Sequence, residues 1–133
     1  MNSEEGKGTG LVKAREETRR YHDEYYRRHA LFEEGSWLQL PDKSLCSIIS
    51  EMAHVKGARA LDLGCGVGRN AIPLAEAGVH VTCIDCLPVA VELLNENARR
   101  RKVEKFISAF QQPIEEFCAS PGTFDLVLAI SVL

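Results

Sequence analysis

The stretch ALDLGCGVGRN, residues 60–70, sets Gly64, Gly66 and Gly68 at alternate positions directly behind a short apolar run, with Asp62 two residues ahead of the first glycine. Glycines spaced in this way delete side chains where a backbone must turn sharply or let another group approach it closely. The run before them, residues 59–63, reads as a strand. Residues 70–77 read as a helix closed by Gly78, which tolerates Pro73 because that residue falls in the first turn. The loop therefore joins a strand end to a helix start, where unpaired N–H groups favour something anionic.

The same alternation continues outward in both directions. Downstream, residues 79–84 (VHVTCI) read as a strand, Pro88 opens a helix to about Lys102, and residues 105–110 read as a third strand. A helical stretch over 114–118, a turn at Pro121 and Gly122, and a strand over 124–133 (FDLVLAISVL) follow. Upstream, Asp42 caps a helix whose apolar residues Leu45, Ile48, Ile49 and Met52 recur at helical spacing. Strands alternating with helices predict an α/β fold, a Rossmann-like doubly wound parallel sheet with helices on both faces. In such sheets ligands bind beyond the carboxyl ends of the strands, near the point where strand order reverses.

Composition bounds the function classes. With 133 residues, 45% hydrophobic and 26% charged, and a net charge of -3, the chain has the make-up of one ordinary soluble domain. The balanced charge argues against a nucleic-acid partner. No apolar run approaches the ~20 residues that cross a bilayer, and the polar first ten residues lack a signal-peptide core, so a cytoplasmic protein with no membrane partner is expected. Residues 1–41 are expected to form a flexible tail and an N-terminal helical or lid segment, in which charges alternate over 11–28 among Tyr21, Tyr25 and Tyr26, with Trp37 beyond. Residues 42–133 are expected to form the Rossmann-like, ligand-binding domain, incomplete at its C-terminus.

The five cysteines, Cys46, Cys65, Cys83, Cys86 and Cys118, are an odd set expected to act as small buried apolar groups. Cys83 and Cys86 form a single CxxC, half of a structural zinc site, so no metal is expected. His22, His29, His54 and His80 show no mutual spacing that suggests ligands or a catalytic base. The basic run over 99–102 suits a helix C-terminus, where cations complement the dipole.

Two ligands fit a glycine loop at a helix start: a dinucleotide pyrophosphate, or the amino-acid carboxylate of S-adenosylmethionine. A dinucleotide fingerprint wants a small residue five positions after its first glycine; counted from Gly64 this is Arg69, and counting from Gly66 to Ala71 starts the pattern two residues late. The acid ahead of GxGxG in DLGCGVG resembles instead the first motif of class I S-adenosylmethionine-dependent methyltransferases. Over 42–133 the resemblance extends to four landmarks in order: ALDLGCGVG, VTCIDCLP, the segment after Phe110, and FDLVLAISVL. It is nearest the small tellurite-resistance and ubiquinone-biosynthesis type.

That resemblance implies S-adenosyl-L-methionine as cofactor, with S-adenosyl-L-homocysteine as product, and assigns roles by residue. Asp62 would face the methionine ammonium, where opposite charge is favourable, and Gly64, Cys65, Gly66 and Gly68 would line the methionine and ribose. Asp85, about 20 residues on, would accept from both ribose hydroxyls, with Cys86 and Leu87 along the adenine. The family often ends its third strand with an Asp; here Gln111, Gln112 and Pro113 stand there, so Gln112 is the expected adenine acceptor, with Ile114 on the second adenine face and Ala129 on the fourth strand at the site. Asn70 is expected to cap the following helix and Arg69 to reach a cofactor carboxylate or solvent. No catalytic residue is assigned, since methyl transfer needs positioning more than acid catalysis.

The fourth strand, apolar on both faces, reads as central to a sheet of family order 3-2-1-4-5-7-6, yet the chain stops in it. Two expectations follow: the chain is the N-terminal four strands of a seven-strand methyltransferase, binding cofactor with weak or absent turnover, or its open edge self-associates. The acceptor is expected to be a small molecule. A non-catalytic cofactor-binding or scaffold protein, or an NAD-dependent oxidoreductase, are the alternatives.

Overall fold

The computed structural model describes residues 41–130; the readings made for the tail, for Tyr21, Tyr25, Tyr26 and Trp37, and for residues 131–133 lie outside them. Four strands form one parallel sheet: β1 (Arg59–Leu63), β2 (His80–Asp85), β3 (Ile107–Gln111) and β4 (Leu126–Leu128), in the spatial order β3-β2-β1-β4. The chain steps outward from β1 to β3 and then crosses back to the other side of β1, so the order reverses at β1. Helices α1 (Cys46–Met52), α2 (Ala71–Glu76) and α3 (Pro88–Arg100) accompany them. The β1-α2-β2 and β2-α3-β3 crossovers step in one direction, and right-handed connections lay both helices on the same face.

Parallel register explains what meets on that face. Ala60 lies beside Val81 and Leu126, and Asp62 beside Cys83 and Leu128. These apolar neighbours join Ile72 and Leu74 of α2, Leu94 and Ala98 of α3, and Leu45 and Met52 from the α1 region in one buried core. Asp62 is thus a carboxyl group in a row of core residues. On the opposite face Phe110 and Val127 are 52% and 56% exposed.

Local chemistry sets the element ends. The Asp42 carboxylate accepts from Ser44 N at 3.0 Å and starts a short 3-10 turn, Lys43–Leu45, that leads into α1. Gly78, at φ +87°, stops α2 and lets Val79 N donate to Leu74 O. Pro88 opens α3, whose far end turns through Lys102 at φ 59° so that Val103 N reaches Ala98 O at 2.9 Å.

Several expectations are corrected. The second strand includes Asp85 as its last residue, and the third begins only at Ile107, after a 3-10 turn at Glu104–Phe106. The helix expected over 114–118 is a single 3-10 turn, Ile114–Glu116, because Pro113 and Phe117 on either side hold extended ψ values of 143° and 131°. The ten-residue strand expected over 124–133 is shorter among the described residues, where it pairs through Leu126–Leu128; it lies at the sheet edge, as expected for four strands of a larger sheet. Its start is fixed by a two-point clasp, Asp125 N to Arg59 O at 2.8 Å and Arg59 N to Asp125 Oδ2 at 2.9 Å, just ahead of the first pair, Ala60 with Leu126. Only Cys65 and Cys83 are buried; Cys46, Cys86 and Cys118 are exposed, the first on the solvent side of α1 and the others in loops.

Candidate functional site

Because the strands are parallel, their carboxyl ends meet at one rim, formed by Leu63, Asp85, Gln111 and Leu128. The glycine loop leaves β1 there. Gly64 N and Cys65 N both donate to Ile84 O, at 2.7 and 3.1 Å, so the β1-β2 ladder runs on into the loop. Gly64 at φ 74° and Gly66 at φ 55° take the left-handed turns that follow. A Cβ on Gly68, itself at φ +100°, would lie 2.5 Å from Leu94 Cδ1 and 2.8 Å from Ile72 Cγ1. The missing side chain at Gly68 is therefore demanded by the core beneath the loop.

Asp85 braces the loop from β2. Its Oδ2 accepts from Gly66 N and its Oδ1 from Leu87 N, both at 2.9 Å, so one carboxylate holds the loop and the first turn of α3 together. It closes the turn from β2 into α3 without capping the helix, and keeps further lone pairs at the rim, since a carboxylate offers about four acceptor positions. Its own carbonyl accepts from Gln112 N at 3.0 Å.

Asp62 is the opposite case. It is 3% exposed, and its Oδ2 is shut off from solvent with no hydrogen-bond partner. Burial first, and the neighbouring Asp85 carboxylate second, push its pKa up from 3.8 to about 7. Beside it the Cys65 thiol is pushed well above its ordinary value by a hydrogen bond with Cys83, then by burial, with Asp62 and Asp85 adding to the effect. Cys65 is thus a neutral filler under the loop, with Cys83 buried beside it. A cationic group is favoured near these two acids, and a hydroxyl donor at Asp85.

The remaining sequence-derived residues are spread along the rim. Cys86 is exposed, and its carbonyl accepts from Gln111 Nε2 at 3.3 Å; Leu87 is buried at the start of α3. Gln112 and Ile114 are half-buried beyond β3, and Ala129 is exposed one residue past β4. The hydrogen bonds tie Gly66, Asp85, Leu87 and Gln112 into one cluster; Ile114 and Ala129 stand outside it. Asn70 occupies the cap position of α2, but its side chain makes no cap bond. Its Oδ1 accepts from Asp42 N at 2.9 Å instead, pinning the chain upstream of α1 to the end of the loop.

Sequence reasoning missed Asn97. On the buried face of α3, it donates from Nδ2 to Val67 O at 3.0 Å inside the glycine loop. The signal was available, since Asn97 falls between Leu94 and Ala98 on the apolar stripe of that helix. Among the described residues no helix is long and apolar enough to cross a membrane, and no group of three or more His, Cys, Asp or Glu is placed to hold a metal ion.

Known proteins share this arrangement. Residues 60–133 match the family described as a methyltransferase domain. A ubiquinone biosynthesis O-methyltransferase of Methylocella silvestris is 39% identical over 79 residues, 59% of this chain and 30% of that protein. A ribosomal protein L11 methyltransferase of Herpetosiphon aurantiacus is 36% identical over 72 residues, 53% of this chain and 22% of that protein. The chain thus spans less than a third of the length of either relative. Among solved structures, the YcgJ protein of Bacillus subtilis superposes with a TM-score of 0.55 at 25% identity, covering 63% of this chain and 36% of that one. The matched segment contains the glycine loop, both acids and all four strands of the sheet, and by that match, as its resemblance to the class I enzymes implied, the chain belongs to the methyltransferase-domain family.

Proposed function

We propose that the chain is the S-adenosylmethionine-binding portion of a methyltransferase that acts on a small-molecule acceptor in the cytoplasm. The observation that carries this reading is that one family match, residues 60–133, spans both the glycine loop and the two acids that flank it. The residues fit the cofactor. Asp62 Oδ2, buried without a partner, is an acceptor that an amino-acid ammonium would satisfy, because rotation about the Cβ–Cγ bond exchanges the two carboxyl oxygens. Asp85 retains acceptor lone pairs for vicinal hydroxyls beyond those used by Gly66 N and Leu87 N.

When bound, S-adenosylmethionine supplies a methyl group on a positively charged sulfur, open to in-line displacement. The chain's own residues bind and orient. Gly64, Cys65, Gly66 and Gly68 present backbone to the methionine end, Asp62 supplies the opposite charge there, and Asp85 fixes the ribose. Cys86, Leu87, Gln112, Ile114 and Ala129 border the adenine end. No proton-moving side chain is assigned in this scheme; the residues named hold the donor still while an acceptor approaches.

Isothermal titration with S-adenosylhomocysteine tests the reading. The intact chain binds it, and Asp85→Ala weakens binding by roughly 1.5 to 3 kcal/mol, or ten- to a hundredfold. Preference for NAD over S-adenosylhomocysteine, or binding indifferent to Asp85, would sink it.

A further inference from the structure

Behind the glycine loop, α3 makes two contacts that no ligand-facing role requires. Leu94 Cδ1 occupies the space that a Cβ on Gly68 would need, and one helical turn on, Asn97 Nδ2 donates to Val67 O at 3.0 Å. Asn97 is 6% exposed and lies with Ala90, Leu94 and Ala98 on the buried side of α3. An amide on an apolar helix face is costly unless it is hydrogen-bonded, and its acceptor lies 30 residues away in sequence, so the bond joins separate elements. The start of α3 is held by Leu87 N on Asp85 Oδ1, and Asp85 Oδ2 in turn takes Gly66 N. Loop, acid and helix therefore close a ring: Gly66 to Asp85, Asp85 to Leu87, along α3 to Asn97, and back to Val67.

We propose that Asn97 is a positioning residue for cofactor binding, which acts through Val67 O to keep the glycine loop at a fixed distance from Asp85. This rests on the proposed function, since the two ends so spaced are those assigned to the methionine and ribose of the cofactor. Asn97 itself touches no ligand in this scheme. Without its amide, Val67 O loses that partner, and the tie from the loop to the far part of α3 is left to the packing at Gly68 while Gly66 N stays on Asp85.

Two substitutions in the full chain separate positioning from plain stability. Asn97→Leu keeps volume and suits the apolar face. Asn97→Asp keeps shape, and its carboxyl group donates to Val67 O only while protonated. Titrations with S-adenosylhomocysteine are made at a temperature where circular dichroism shows each variant folded. Asn97→Leu is expected to raise Kd about tenfold. Asn97→Asp raises it at pH 7 and regains affinity, relative to wild type at the same pH, as pH falls toward 5. In the ligand-free chains, hydrogen exchange of the Gly66, Val67 and Gly68 amides quickens in both variants at pH 7. Folded variants with unchanged Kd and unchanged exchange overturn the proposal, as does lowered stability with neither change. If wild type itself fails to bind, the cofactor reading falls while exchange alone decides the positioning role. If Asn97→Leu does not fold, Asn97→Asp decides in its place.

Discussion

The rim above β1 and β2 and the rim above β3 and β4 are built from loops of the same sheet, yet they are held in different ways. Above β1 and β2 the backbone is tied from three sides, by Ile84 O, the Asp85 carboxylate and the Asn97 amide, and the core presses on it at Gly68. Above β3 and β4 stand a 3-10 turn at Ile114–Glu116 and the exposed Ala129, and the end of β3 is tied to β2 by Gln112 N on Asp85 O and Gln111 Nε2 on Cys86 O. The first rim is rigid because its shape is set by buried contacts. The second is shaped mainly by local bonds within its own turns, so its residues are free to vary with the ligand or acceptor it faces.

The sharpest way to break this contrast is at Gly68. Placing Val there forces a Cβ against Leu94 and Ile72 in a positive-φ conformation and is expected to destabilise the chain by about 3–5 kcal/mol in urea unfolding. A loss under ~1 kcal/mol would mean that the core does not set the loop.

The two acids of the braced rim should then respond with opposite signs. Asp85→Ala orphans Gly66 N and Leu87 N and lowers ligand-free stability by about 2–4 kcal/mol. Asp62 carries a folded pKa of about 7 against an ordinary 3.8, so the folded chain holds a proton that the unfolded chain has released. Its contribution is full below about pH 4, falls as pH rises, and is wholly lost above about pH 7, at most ~1.4 kcal/mol per pH unit. Asp62→Asn removes that slope. Its stability relative to wild type is expected to improve steadily from pH 4 to 7, by about 1–3 kcal/mol in all, while its affinity for S-adenosylhomocysteine falls. Denaturant midpoints taken across that pH range check both signs, and parallel losses in the two variants would contradict the assignment of Asp62 as an unsatisfied acid.

The smallest effect belongs to the looser rim. Gln111→Ala deletes one exposed side-chain bond at 3.3 Å and should change stability by less than ~0.5 kcal/mol. A thermal melt showing more than twice that loss would place this rim under constraints like those of its neighbour.

The same division decides what could be read from the chain. β1 was legible to the residue, because Gly57 and Gly64 bracket an apolar run that nothing but a buried strand would carry. The tight turn at Gly64, Gly66 and Gly68 was legible because all three take positive φ, which few other residue types tolerate. The length of the fourth strand was not: its apolar pattern runs on past Leu128, while among the described residues its pairing with β1 ends at Asp62 with Leu128. The clasp from Asp125 to Arg59 and the bond from Asn70 to Asp42 were equally hidden, since both depend on which distant backbone group happens to stand opposite. Asn97 was hidden in plain view, a polar residue on an apolar stripe whose acceptor only the folded chain reveals.

Ile72 and Leu94 fill the space that a side chain on Gly68 would take, so the core that forms on folding shapes the loop before any guest arrives. Ordering this stretch of backbone is then a cost charged to the fold and not to the encounter. A nucleoside meeting such a surface finds its seat already cast, and its capture should be quick, with a heat signature that reflects contacts made and little rearrangement.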